Sequence, residues 1–151
     1  MKSRMRIRSA LIKRRKQKGA ALVEFAIVLP LLLLVVFGII EFSLAIYDKA
    51  VITNASREAA RAGIVLASPK PTTAQIQQVA TNYCSSYLVS LGSSANTCPA
   101  ANVSVSGAQG TFGSPVTVTV SYTFAPIGLG KLIAPLTGPL TMSATTTMNN
   151  E

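Results

Sequence analysis

Histidine is absent from the chain, and cysteine occurs only twice, at Cys84 and Cys98, in 151 residues. Without histidine there is no His-based general acid–base catalysis, and most zinc centres are excluded as well. Acidic residues are nearly as scarce: Glu24, Glu41, Asp48, Glu58 and Glu151 are the whole set. So few carboxylates argue against a metal–carboxylate site. No glycine-rich phosphate loop and no nucleophile elbow occurs. The sequence therefore offers no catalytic residues, no metal ligands and no cofactor motif, and the chain is read as non-enzymatic.

Positive charge is plentiful but confined. Of the 14 lysines and arginines, Lys2, Arg4, Arg6, Arg8, Lys13, Arg14, Arg15, Lys16 and Lys18 fall in the first 18 residues. The other five, Lys49, Arg57, Arg61, Lys70 and Lys131, match the five acids in number. The net charge of +9 thus belongs to the leader, and residues 19–151 are formally neutral. A nucleic-acid binder keeps its basic residues on the folded domain. No nucleic-acid partner is expected.

Behind the leader, residues 25–40 form a run of 16 without a charge. A helix of that length spans about 24 Å, short of the roughly 30 Å hydrocarbon core. Extension to residue 20 or to residue 47 makes the span long enough, and each extension passes a glutamate, Glu24 or Glu41. The basic leader stays in the cytoplasm by the positive-inside rule, which places the rest of the chain outside. Three readings compete. One is a cleaved secretory signal, for which Ser43-Leu44-Ala45 is a loose small-x-small site. Against it, the apolar run is long and a carboxylate opens it. The second is an ordinary signal anchor. The third depends on the residues at the junction.

Gly19 directly follows the last leader lysine, and Glu24-Phe25 comes five residues later. This spacing, between a basic leader and a hydrophobic helix, resembles the processing site of type IV prepilins. The longer stretch GAALVEFAIVLPLLLLVVFGIIEF, followed by NASREAARAG, resembles the TadE-like family of the tight-adherence (Tad) pilus machinery. Gly19, Glu24, Phe25, Pro30, Phe37-Gly38, Glu41, Asn54, Arg57, Glu58, Ala59, Ala60 and Arg61 carry the resemblance, over about residues 13–66. It implies cleavage between Gly19 and Ala20 by a membrane prepilin peptidase. It further implies a minor pilin or pseudopilin whose partners are the major pilin, other pseudopilins and the inner-membrane assembly platform. The alternative is a single-pass envelope anchor that never enters a filament.

Cleavage would leave an ammonium on Ala20, four residues from Glu24. A carboxylate near hydrocarbon costs roughly 2.5–3.5 kcal/mol at mid-membrane, and pairing with an ammonium removes much of that penalty. Between chains the same pair can set the offset of one helix against the next, which is the use the resemblance implies. Glu41 is read at the outer interface, either solvated or in a subunit contact. Pro30 removes a backbone donor facing Ala26 and predicts a kink or local opening.

The helical pattern continues to about Leu66 on a narrow stripe of Val51, Ala55, Ala59, Ala62 and Leu66, small enough for close approach to a partner. Asn54, Arg57, Glu58 and Arg61 lie mostly on other faces, as a solvated surface or a subunit contact. Ala67-Ser68-Pro69-Lys70-Pro71 ends the element. Thr72-x-x-Gln75 is a capping box opening an amphipathic helix through Ile76, Val79, Ala80, Tyr83, Tyr87, Leu88 and Leu91. Residues 92–102 read as loop. Val116, Val118, Val120, Tyr122 and Phe124 alternate with hydroxyl residues, a half-buried strand. Residues 103–106 and 140–146 alternate more weakly and flank it. The apolar stretch 125–139, broken by glycine and proline, is either a packed connection or an exposed contact patch.

Cys84 and Cys98 would both lie outside the cytoplasm, where disulfides persist. A small domain needs such a staple, worth about 3 kcal/mol for a loop of this size. The expected fold is α+β with a pilin-like layout. Residues 1–19 form the leader, 20–67 a long membrane and assembly helix, and 68–151 an extracytoplasmic domain with a short helix and a small antiparallel sheet of about three strands. The chain is placed in a bacterial inner membrane, or in the extracellular pilus.

Overall fold

The computed structural model describes residues 3–89, 98–126 and 138–150, with the backbone alone for 3–18. The chain divides into two compact units, Met1–Ile39 and Ile40–Glu151.

The described residues of the first unit are all helical. Helix α1 (Ser3–Ile64) begins there and carries Pro30 inside it. From Gly19 onward its side chains are almost all exposed, Ile27 at 70% and Leu31 at 65% among them. An 18-residue window of the stretch Gly19–Ile64 reaches a mean hydropathy of 2.8, with none of the window buried. Burying one Leu, Ile or Phe side chain is worth about 1.5–3 kcal/mol. A helix satisfies its own backbone hydrogen bonds, so lipid can cover such a surface without loss.

The second unit combines the last part of α1 with α2 (Thr73–Tyr87), a short 3-10 turn (Ala100–Asn102) and three strands. The strands are β1 (Val103–Ser106), β2 (Pro115–Phe124) and β3 (Leu140–Asn149). They form one antiparallel sheet in the order β1-β2-β3, with Val105 opposite Val118 and Val120 opposite Ala144. Period-two alternation puts Val116, Val118, Val120, Tyr122 and Phe124 on one face, all buried. The two helices cover that face. α2 contributes Ile76, Ala80 and Cys84. Its capping box is formed: Gln75 N–H donates to Thr72 Oγ1 at 3.3 Å, and Thr72 N–H donates to Gln75 Oε1 at 2.8 Å.

α1 contributes Asp48, Val51, Ile52, Ala55, Ser56, Ala59 and Ala60, all buried. These positions step by three and by one, the spacing of a helix face turned inward. Gly63 completes the face. A Cβ there would lie 3.0 Å from Ile76 Cδ1 and 3.1 Å from Val116 Cγ1, so this glycine lets α1, α2 and β2 close on one another. The small stripe read from the sequence therefore has a partner, and it is the chain's own sheet. For the same reason the unit holding the sheet includes this part of α1 and starts at Ile40.

Other edges of the reading shift modestly. α1 ends at Ile64, and Leu66, expected on the apolar stripe, is 79% exposed. β3 runs to Asn149 rather than 146. Thr145-Thr146-Thr147 shows no polar alternation, so only pairing with Thr119, Val118 and Thr117 marks it as strand. Leu91 and residues 127–137 of the apolar connection lie outside the described residues.

Candidate functional site

Gly19 and Ala20 sit within α1 and are exposed. A Cβ added at Gly19 would meet nothing within 4 Å. Glycine inside a helix is roughly 0.8–1.0 kcal/mol worse than alanine, so the fold gains nothing from it there. Glu24 is also exposed, and so is Phe25 at 60%. Ala20 and Glu24, four apart in one helix, share a face. Pro30 is exposed inside α1, and Glu41 is half-buried.

Asn54, Arg57 and Arg61 are exposed on the side of α1 that does not face the sheet. Arg61 Nη1 lies 3.8 Å from Glu58 Oε2, with both side chains more than half exposed. An exposed pair of this kind contributes a fraction of a kcal/mol. It shapes surface charge more than stability. Cys84 and Cys98 are joined in a disulfide, their Cα atoms 5.7 Å apart and both side chains fully buried.

Asp48 is the residue that sequence reasoning missed. It is completely buried, yet only one of its oxygens is bonded: Oδ1 accepts from Val89 N–H at 3.2 Å, and Oδ2 has no partner. Burial pushes its carboxyl above the ordinary 3.8, against the opposing pull of the Val89 bond. Tyr122 is pushed up too, by burial and by the neighbouring Asp48 charge. The signal was present in the spacing, because Asp48 falls on the same helical face as Ile52, Ala55 and Ala59. Beside it, Lys49 Nζ donates to the Ser143 carbonyl, and Ser56 Oγ and Thr146 Oγ1 share a hydrogen bond of 2.7 Å. These contacts tie α1 to β3.

A basic leader, one apolar helical stretch and an α+β unit with a three-stranded antiparallel sheet define a pilin-like layout compatible with single-pass membrane anchoring. The model of the family described as TadE-like protein matches residues 19–61, so the chain carries a TadE-like segment. No curated protein and no solved structure matches the chain. The matched segment holds Gly19, Ala20, Glu24, Phe25, Pro30, Glu41, Asn54, Arg57 and Arg61, and it stops short of α2, both cysteines and the sheet.

Proposed function

We propose that the chain is a minor pilin, or pseudopilin, of a tight-adherence pilus, cut after Gly19 by a prepilin peptidase and contributing to pilus biogenesis and surface adhesion. The observation that carries this reading is the pair Gly19 and Glu24, five residues apart on an exposed apolar helix inside the TadE-like segment. A glycine with no steric need for it in the fold suits a recognition site for an enzyme that accepts a minimal side chain. A carboxylate among exposed Leu, Val and Phe suits a pairing made with a charge from outside the helix. The leader stays in the cytoplasm by its charge, and the α+β unit with its disulfide lies outside. Partners are the peptidase, the major pilin, other pseudopilins and the inner-membrane platform. The role is structural, with no catalytic residue and no cofactor.

Sequencing the N-terminus of the protein from cells with a working peptidase is the test. A chain starting at Ala20 supports the reading. One starting at Met1, or near Ile46, removes it in favour of an anchored or secreted protein that never enters a filament. Glu24→Gln then examines assembly: insertion and cleavage persist while incorporation into pili falls. Normal pili with glutamine at this position would rule out the charge-pairing role.

A further inference from the structure

The net charge of the chain is gathered around the start of α1. Residues 1–18 hold nine lysines and arginines and no acid, and the first carboxylate is Glu24. The five cations nearest the apolar run, Lys13, Arg14, Arg15, Lys16 and Lys18, are interrupted only by Gln17. α1 runs from Ser3 to Ile64, so this cluster and the apolar run belong to one helix with no loop between them. The stretch able to cross a membrane begins at Gly19, directly after Lys18.

Helical rise turns this order into distance. At about 1.5 Å per residue, Lys18 stands about 3 Å along the axis from Ala20, and Lys13 about 10 Å. Arg8 stands about 18 Å away and Arg4 about 24 Å. The attraction of a cation to an anionic lipid surface falls off within a Debye length, about 8–10 Å at ordinary salt. The nearer five therefore fall within reach of headgroups at the start of the span, and Arg4, Arg6 and Arg8 fall beyond it. A cluster of about four to eight lysines and arginines immediately cytoplasmic of a membrane helix is the pattern that binds anionic headgroups.

We propose that Lys13, Arg14, Arg15, Lys16 and Lys18 form a binding site for anionic phospholipid headgroups, phosphatidylglycerol in kind, at the cytoplasmic face of the membrane. Arginine takes a phosphate through two donors at once and lysine as a point charge, so the cluster suits a phosphodiester. Nucleic acid carries the same group, but a cluster joined to a membrane span through Gly19 alone is held where lipid phosphates already stand. The site rests on the reading of the chain as a membrane-anchored protein, and its fate rests on the proposed processing. Cleavage after Gly19 takes away all nine cations and leaves residues 20–151 with five basic and five acidic side chains. The precursor thus carries a shell of anionic lipid that the mature chain lacks.

The test is the association of spin-labelled lipids with the full chain in phosphatidylcholine vesicles, read as the fraction of label held at the protein surface. At low salt, labelled phosphatidylglycerol should associate about fivefold or more strongly than labelled phosphatidylcholine, the ratio that one lysine near the surface already supplies. The ratio should fall close to one at high salt, where the Debye length is about 3 Å. Inorganic phosphate should compete no better than chloride at equal ionic strength. Lys13→Gln, Arg14→Gln, Arg15→Gln, Lys16→Gln and Lys18→Gln together should remove the preference, whereas Arg4→Gln, Arg6→Gln and Arg8→Gln together should leave most of it. Equal association of the two labels with the full chain overturns the proposal, and binding of a DNA duplex in that case assigns the leader to nucleic acid. An undiminished preference in the variant lacking the five, or a greater loss in the variant lacking the three, overturns it as well. Failure of the pilus reading shows elsewhere, as a mature chain that still begins at Met1, and leaves the lipid preference of the full chain as it was.

Discussion

Between Gly19 and Phe42, α1 exposes large apolar side chains on every side, whereas between Ala45 and Gly63 it buries mostly small ones, together with Val51, Ile52, a serine and a carboxylate, against a sheet. One continuous helix thus serves two environments. The first part can make no folded core of its own and needs lipid or other helices to cover it. The second part is narrow enough, through Ala55, Ala59, Ala60 and Gly63, to sit close to β2 and α2. Hydrophobicity alone does not separate the two uses. Side-chain size and the periodicity of burial do.

Substitutions in the two parts should therefore fail in different assays. Under the proposed function, Gly19→Val should have the largest effect, an all-or-none loss of leader removal, read by intact mass. The melting of the α+β unit should not move, because no atom lies within 4 Å of the added Cβ. Ile52→Ala, at a completely buried position, should cost about 2–5 kcal/mol in denaturant unfolding. Leu31→Ala, exposed in the apolar run, should stay within about 0.5 kcal/mol in the same experiment. Equal effects would erase the distinction between the two parts of the helix.

Replacing Cys84 and Cys98 together by serine should cost about 3 kcal/mol, as expected for closing a loop of this length. The melt of the parent under reductant should match the double variant. The smallest effect concerns Asp48. Its folded carboxyl holds its proton more tightly than the unfolded one, because burial raises its pKa. Stability from this group is therefore complete below the ordinary value of 3.8 and falls as the pH rises above it. Asp48→Asn keeps an acceptor for Val89 N–H and removes the charge. The variant should be more stable than the parent at pH 7 and lose that part of the pH slope, as followed by thermal melts across pH.

Much of this architecture was legible in residue order. The valine–threonine alternation of β2, the capping box at Thr72 and Gln75, and the apolar run behind the leader are local patterns, and local patterns survive without knowledge of the fold. The end of β3 was not legible, since three consecutive threonines carry no alternation and only the facing strand fixes them. Glu24 and Gly19 were visible because a carboxylate and a glycine violate the local rules of an apolar helix. Asp48 was hidden because an acid among Tyr47, Lys49 and Ala50 looks like an ordinary solvated turn of helix until the opposing sheet is in place.

The sequence by itself determined a basic leader, an apolar helix able to cross a membrane and an α+β domain after it, because charge, hydropathy and periodicity are properties of neighbouring residues. Tertiary structure decided which face of α1 closes the core, that Asp48 lies buried with one oxygen unbonded, and that β3 pairs with β2 from Leu140 to Asn149. Each of these depends on which distant segments meet, and burial and backbone pairing exist only once they have met.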